Sequence, residues 1–325
     1  MKAKSFLFLF LIPNKRPFSL PFLLFFASLT SVVFLPFLAK ADTVFWPGEE
    51  VAAQDLIETM NGQDPGKGWL GKWRRMTAET RDRQPKWLTP LVTSTARLEQ
   101  RIRYDVYYET LPTGQKAWDF GSGKGVSLIV GPTLQFTFSL PEYLFYPGQG
   151  RMDGFGGETF IVRNRIMASP EGQKNYCFSV QLQAVSPYSP YGNTAPSLLN
   201  HWTWAPTILF GKGWGNFTIQ LNLGSRWTDG NNGTSALPYF YNVAFEYRIG
   251  YVTPAVEVTS QSTFDQLYFI NAPGLYVIPE VLVGRFAFKD DWKVYYGFGY
   301  QVGLNSPTIE KKYSNAFIMK FHLLF

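Results

Sequence analysis

The sequence predicts an all-β protein: a transmembrane antiparallel up-and-down β-barrel of about twelve strands, with a short N-terminal periplasmic extension. Three observations predict it. The chain ends on an alternating segment, with Phe317, Met319, Phe321, Leu323 and Phe325 on one face and Ile318, Lys320, His322 and Leu324 on the other. A period of two is the mark of a half-buried strand. From Arg97 onward the chain divides into alternating segments of roughly ten residues, the length a tilted strand needs to cross a bilayer. The connections between these segments alternate long and short, an arrangement that an outer-membrane barrel explains and a β-sandwich does not.

The N-terminus reads as an export signal, residues 1–41. Lys2, Lys4, Lys15 and Arg16 precede an apolar run from Phe18 to Leu38, and Ala39-Lys40-Ala41 has the small residues of a cleavage site. This segment carries the charge imbalance. The full chain has 30 Lys and Arg against 24 Asp and Glu, for a net +6. Five of those bases and none of the acids lie in residues 1–41, so the mature chain stands at +1. Nothing in that balance argues for nucleic acid as a partner. Beyond residue 41 there is no run of apolar residues long enough for a membrane-spanning helix. Yet 18% of residues are aromatic and mean hydropathy is −0.10, the profile of strands apolar on one face only with aromatic girdles at both interfaces. The single cysteine, Cys177, excludes an intrachain disulfide.

Residues 42–95 do not alternate. Glu49–Met60 fits a short helix, and Gly62 to Pro85 is rich in Gly, Trp and charge, including Trp69, Trp73, Arg74 and Arg75. The segment reads as a periplasmic extension, a tether, or a plug folded into the lumen. The barrel follows over residues 96–325. Its first strand sets Leu98, Gln100, Ile102, Tyr104, Val106 and Tyr108 against Arg97, Glu99, Arg101, Arg103 and Asp105. The second, near Trp118 to Val130, is broken by Gly121, Gly123 and Gly125. Later strands set Phe160, Val162 and Ile166 against Arg163 and Arg165, and Tyr241, Val243 and Phe245 against Asn242, Glu246 and Arg248. Glu257, Glu280, Lys320 and His322 fall on the same inner parity. An even strand number puts both termini in the periplasm.

Catalytic and metal chemistry find little support. There are two histidines, His201 in a long loop and His322 on the inner face of the last strand. Neither has a local Ser or acid signature of a hydrolase. No His pair or Cys cluster has metal-ligand spacing, and no cofactor motif stands out. Gly121-Ser122-Gly123-Lys124-Gly125 lacks the spacing of a phosphate loop. The expectation is a protein without catalytic residues, metal or cofactor. What remains is a lumen lined by Arg97, Glu99, Arg101, Arg103, Asp105, Arg163, Arg165, Glu246, Arg248, Glu257, Glu280, Lys320 and His322. Such a lining makes either a polar conduit or a salt-bridged network that fills the interior. Tyr143, Phe145, Tyr146, Tyr188, Tyr191, Trp202 and Trp204 would lie in the long loops above it.

Two resemblances add to this. The terminal Phe325 with Phe321 four residues earlier resembles the C-terminal signature of bacterial outer-membrane barrels. It implies outer-membrane location, lipid contact and recognition by the barrel-assembly machinery. More broadly, Thr89-Pro90-Leu91-Val92-Thr93 leading into Arg97–Asp105, with Gly211-Lys212-Gly213-Trp214-Gly215 and Gly154-Phe155-Gly156-Gly157, resembles the outer-membrane barrels of the MetA-pathway phenol-degradation and transporter-like group. That resemblance covers most of residues 89–325. It implies a barrel and uptake of small solutes, hydrophobic or aromatic ones among them. The alternatives are a structural or assembly barrel with a closed lumen, and a lipid hydrolase of the outer membrane.

Overall fold

A sheet of alternating strands that is apolar on one face needs its edges removed before it can sit in lipid, and closure removes them. The computed structural model describes residues 68–111, 113–121, 125–139, 141–147, 153–187, 202–228, 239–261, 274–289, 292–304 and 315–325. The chain divides into two units, Met1–Gly68 and Trp69–Phe325, and all that follows concerns the second. The expected signal, the expected helix over Glu49–Met60 and His201 lie outside the described residues.

In chain order the elements are α1 (Trp69–Asp82), β1 (Arg101–Thr110), β2 (Lys116–Phe120), β3 (Gly125–Ile129), β4 (Leu134–Ser139), β5 (Tyr143–Phe145) and β6 (Gly154–Phe155). Then come β7 (Thr159–Ser169), β8 (Tyr176–Val185), β9 (Thr203–Trp214), β10 (Phe217–Ser225), β11 (Trp227–Thr228), β12 (Tyr239–Tyr247) and β13 (Val252–Gln261). β14 (Gly274–Lys289), β15 (Trp292–Gly303) and β16 (Asn315–Leu324) complete the set. Each barrel strand pairs antiparallel with the next, and β16 closes on β1 from Leu324 opposite Arg101 to Asn315 opposite Thr110. The result is a closed, twelve-stranded, antiparallel transmembrane barrel. β2 and β3 share one barrel position, both pairing with β1, with the break at Gly121. Its φ of +98° is a conformation that glycine tolerates and L side chains resist. β5 and β6 pair with each other and extend β2 beyond the barrel, while β11 extends β9.

Alternation sorts the two faces. Phe136, Val162, Ile208, Phe245, Val281 and Phe298 are exposed on the outside, as a lipid-facing belt requires. Aromatic residues gather toward both ends of that belt. At the long-loop end Tyr108 packs on Trp118 and Phe160 on Trp202. At the short-turn end Trp214 stacks on Phe217, Tyr251 on Phe286 and Trp292 on Phe325. These are the two interfacial girdles.

One boundary differs from the expectation. The alternation beginning at Arg97 is continuous, but the first strand starts at Arg101. Residues 84–100 are not on the wall at all: Trp87, Leu88, Leu91, Leu98, Arg97 and Glu99 are all buried. Leu98, expected on the lipid face, is fully enclosed, and its N–H and C=O are both taken by the Gln84 amide, at 2.9 and 2.6 Å. A side-chain amide here does what a neighbouring strand would do, so periodicity alone does not separate this stretch from β1.

Upstream, α1 lies against the short-turn end. Trp73, Thr77 and Thr80 recur at helical spacing on its inner face, and Gln84 follows just past its end. Trp73 Nε1 donates to Ile129 O at 2.7 Å, and Arg165 NH1 donates to Thr80 O at 2.8 Å. Arg81 holds the carbonyl of Phe325 at 3.0 Å, so the helix also ties down the chain end.

Candidate functional site

The interior of the barrel is occupied by residues 84–100, here called the strap. A chain threaded through a barrel has no strand beside it, so its peptide groups must find side chains or stay unsatisfied at a cost of about 1–3 kcal/mol each. The wall supplies them with the right sign at each position. Carboxylates meet N–H groups: Glu280 Oε2 accepts from Leu91 N at 2.9 Å, and Glu257 accepts from Val92 N at 2.8 Å and Thr93 N at 2.5 Å. Cations meet carbonyls: Lys320 Nζ donates to Thr89 O and to Pro90 O, the latter at 2.6 Å, while Arg103 donates to Leu91 O and Arg285 to Trp87 O. Neutral amides fill in between. Gln220 donates to Leu88 O at 2.8 Å, and Asn222 exchanges two bonds of 2.7 Å with the backbone of Ser94. Further along, Arg163 NH1 donates to Arg97 O at 2.9 Å, and Glu99 N donates to Gln135 Oε1 at 2.6 Å.

Two strap side chains are seated in sockets made by inward-facing glycines. A Cβ at Gly211 would lie 2.3 Å from Trp87, and one at Gly213 2.9 Å from Trp87 Nε1. A Cβ at Gly299 would lie 2.3 Å from Leu91 Cδ1, and one at Gly297 2.8 Å from Leu91 Cδ2. Trp87 Nε1 also donates to Asn175 Oδ1 at 2.9 Å. Leu91 joins Tyr276, Ile278, Leu282, Tyr295 and Ile318 in an apolar cluster. The lumen is therefore part ionic and part hydrophobic, each part matched to the strap.

The residues expected to line the lumen now take definite places. Arg97 and Glu99 are on the strap, where Glu99 is held between Arg97 and Arg101 and accepts from Thr89 Oγ1 at 3.0 Å. Arg101, Arg103, Asp105, Arg163, Arg165, Glu246, Glu257, Glu280, Lys320 and His322 are on the wall with buried side chains. Arg103 pairs with Asp105 on its own strand at 2.5 Å. Arg248 stands apart, exposed at the short-turn rim and paired with Glu171 at 3.3 Å. His322 packs against the Tyr295 ring, centroids 4.4 Å apart. Phe321 faces outward against Tyr296, and Phe325 stacks on Trp292. Cys177 is buried with its Sγ 3.2 Å from Ala96 O. Among the described residues no group of three or more His, Cys, Asp or Glu is arranged to hold a metal.

Trp87, Leu91, Asn175, Gln220, Asn222 and Arg285 belong to the site without having been picked out from the sequence. The glycine pairs 211/213 and 297/299, two apart on inner-facing positions, were the available signal for the first two. Arg285 was hidden by a bulge. Val281 and Val283 face outward, so parity puts Arg285 in lipid, but the pairing with β15 slips at Gly284. Gly284 has φ +135° and Arg285 φ +65°, and that turn carries the guanidinium inward.

At the short-turn mouth a cavity of about 190 Å3 lies between the strap and the wall, lined by residues including Trp87, Leu88, Glu246, Arg248 and Arg285. Of the aromatic residues expected above the lumen, Tyr146 packs against the apolar cluster that holds Leu91, Trp202 and Trp204 stack with each other at 5.9 Å beside Phe160, and Tyr188 and Tyr191 lie outside the described residues.

No protein-family model matches the chain, and no curated protein does. Similar solved structures include a KdgM porin, at 8% identity and a TM-score of 0.40, covering 69% of this chain and 99% of that one. OccAB3 of Acinetobacter baumannii is 11% identical with a TM-score of 0.33, covering 68% of this chain and 59% of its own. OmpT, an outer membrane protein of Vibrio cholerae, is 9% identical with a TM-score of 0.30, covering 70% and 98%.

Proposed function

We propose that the protein is a channel of the bacterial outer membrane for small solutes, held shut by its own strap, with the short turns and both termini on the periplasmic side. The observation that supports this is the chemistry of the latch. The strap is held to the wall mainly through side chains of charged and amide residues, and such contacts exchange for water without unfolding the barrel. With the strap displaced, Arg101, Arg103, Asp105, Glu257, Glu280 and Lys320 would face a water-filled passage, charged with both signs as selective pores are. That lining favours polar or charged solutes. The likeness to phenol-uptake barrels rests partly on residues 89–105, which are largely the strap itself, and of the aromatic residues cited for aromatic solutes Trp202 and Trp204 stack beside Phe160 on the outer face.

A second reading has its own observation. Leu91 and Trp87 fill glycine sockets, which argues for a strap that never leaves and a barrel with a structural or assembly role. Planar-bilayer recording separates the two. The mature protein is expected to be mostly closed, and Glu257→Gln combined with Glu280→Gln to open often and conduct. If neither protein conducts, while both insert as folded barrels, the channel reading fails and the structural one stands.

A further inference from the structure

Residues 89–93 of the strap are held in the lumen by their backbone, as a bound peptide is. Pro90 has no N–H, so the donors that face the wall begin at Leu91. Its N–H goes to Glu280 Oε2 at 2.9 Å, and those of Val92 and Thr93 go to the two oxygens of Glu257 at 2.8 and 2.5 Å. The carbonyls of Thr89 and Pro90 accept from Lys320, and that of Leu91 from Arg103. Between the two sets the Leu91 side chain fills the socket at Gly297 and Gly299. A Cβ on Gly299 would lie 3.1 Å from Glu280 Cβ, and one on Gly297 3.0 Å from Lys320 Cε, so socket, acid and base adjoin.

The charges of this site are not matched to a neutral backbone. Arg103 is already paired with Asp105. Glu257 and Glu280 then stand against Lys320 alone, two formal negative charges against one positive. Glu280 is 4% exposed, yet its Oε1 is buried without a hydrogen bond. A carboxylate binds a charged donor about twice as strongly as a neutral one, and an ammonium offers three protons where a peptide N–H offers one. An α-ammonium at the place of Leu91 N would fill the empty acceptor and cancel the surplus charge.

We infer that Leu91–Thr93 stand in for a ligand, and that this part of the lumen binds short peptides with a free amino terminus and a branched apolar first residue. In the exchange the ammonium takes the place of Leu91 N beside Glu280, and the first carbonyl that of Leu91 O at Arg103. The first side chain enters the glycine socket, and the next two N–H groups meet Glu257. The inference rests on the channel reading, in which the strap leaves its seat, and names the solute class of that passage.

The test uses the full mature chain in nanodiscs with Trp87→Ala and Leu91→Ala, which empty both sockets and leave the wall intact. A heat-dependent gel shift verifies the barrel, and cutting of residues 84–100 by added protease verifies that the strap is loosened. Calorimetric titration then compares leucyl-alanyl-alanine with its N-acetylated form and with glycyl-alanyl-alanine. The free leucyl peptide is expected to bind at least about tenfold more tightly than either, the size of one hydrogen bond to a charged group. Glu280→Gln on this background should remove the preference over the acetylated peptide, and Gly299→Ala the preference over the glycyl one. Equal binding of all three peptides would overturn the inference. So would no binding to a barrel whose strap is cut, or a strap that stays uncut, since the site is then never vacated. Bilayer recording on the same variant keeps the two readings apart. Conductance that no peptide alters would end this inference and leave the channel, whereas peptide binding without conductance would end the channel and leave the peptide site.

Discussion

Gly211 and Gly299 show how single residues set the state of the lumen. At Gly211 the three atoms nearest an added Cβ all belong to the Trp87 ring, the closest at 2.3 Å. Gly211→Ala is therefore expected to push the indole out of its socket and to destabilise the folded protein by about 1–3 kcal/mol, as overpacking does. If the clash is with the strap, Trp87→Leu should recover part of that loss. A double-mutant cycle by urea unfolding from lipid vesicles should show a coupling of about 0.5–3 kcal/mol, and simple additivity would place the strain in the wall. Glu257 makes a different test. Its two oxygens accept from Val92 and Thr93 separately, and an amide retains only one acceptor while turning N–H toward N–H. Glu257→Gln should thus weaken the strap by about 1–3 kcal/mol with little effect on the barrel. The measurement is the rate at which protease added from the short-turn side cuts residues 84–100, which should rise several-fold.

Among elements, the strands were legible and the segments inside them were not. A strand that meets lipid on one face and a polar interior on the other writes its orientation into every second residue, so β4, β7, β8, β10, β12, β13, β15 and β16, and β14 as far as Val283, could be read with the correct faces. β1 was readable from Arg101 but not bounded, because the alternation of Arg97, Glu99, Arg101, Arg103 and Asp105 runs unbroken from strap to wall. The Gln84 amide, not a strand, completes Leu98, and nothing local marks the change. α1 escaped notice because its inner face uses Trp73, Thr77 and Thr80, two of them polar, in place of an apolar stripe. Of the site, the charged wall residues were legible by parity. Their partners were not, since Glu257, Glu280 and Lys320 meet the strap over separations of 164 to 231 residues, and even Arg103 reaches back 12 residues to Leu91 with nothing local to mark it. Gln84 is also where α1 and the strap are joined: it serves both backbone groups of Leu98 and the Arg165 guanidinium, at 2.9 Å. Gln84→Leu leaves both backbone groups of Leu98 unpaired in a buried place and removes one acceptor from Arg165, which keeps Thr80 O and Pro132 O. The expected result is loss of protection for residues 82–100 in limited proteolysis while the heat-dependent gel shift persists. A variant that loses the gel shift as well would show that α1 and the strap are needed to form the barrel.

At the scale of the whole molecule two hydrogen-bond systems of different kinds are nested. The wall is a closed ladder, interrupted near Gly121 and at the slips beside Arg165 and Gly284, and opening it exposes peptide groups to hydrocarbon at several kcal/mol each. The strap is fastened by side chains, beside a lumen whose own groups would accept water in its place. Opening the strap costs its specific contacts and the burial of Leu91 and Trp87, but leaves the ladder whole. The free energies of the two openings should therefore separate. Hydrogen exchange followed by mass spectrometry on the protein in nanodiscs measures this directly. Peptides covering residues 84–100 are expected to exchange at least about tenfold faster than those of β8, β9 and β10, a gap of about 1.4 kcal/mol or more. Glu257→Gln should widen the gap by speeding the strap alone. If strap amides exchange only as slowly as the strands, and Glu257→Gln speeds both together, strap and wall open as one unit. The strap would then be a permanent core, and a gated passage through this barrel would be untenable.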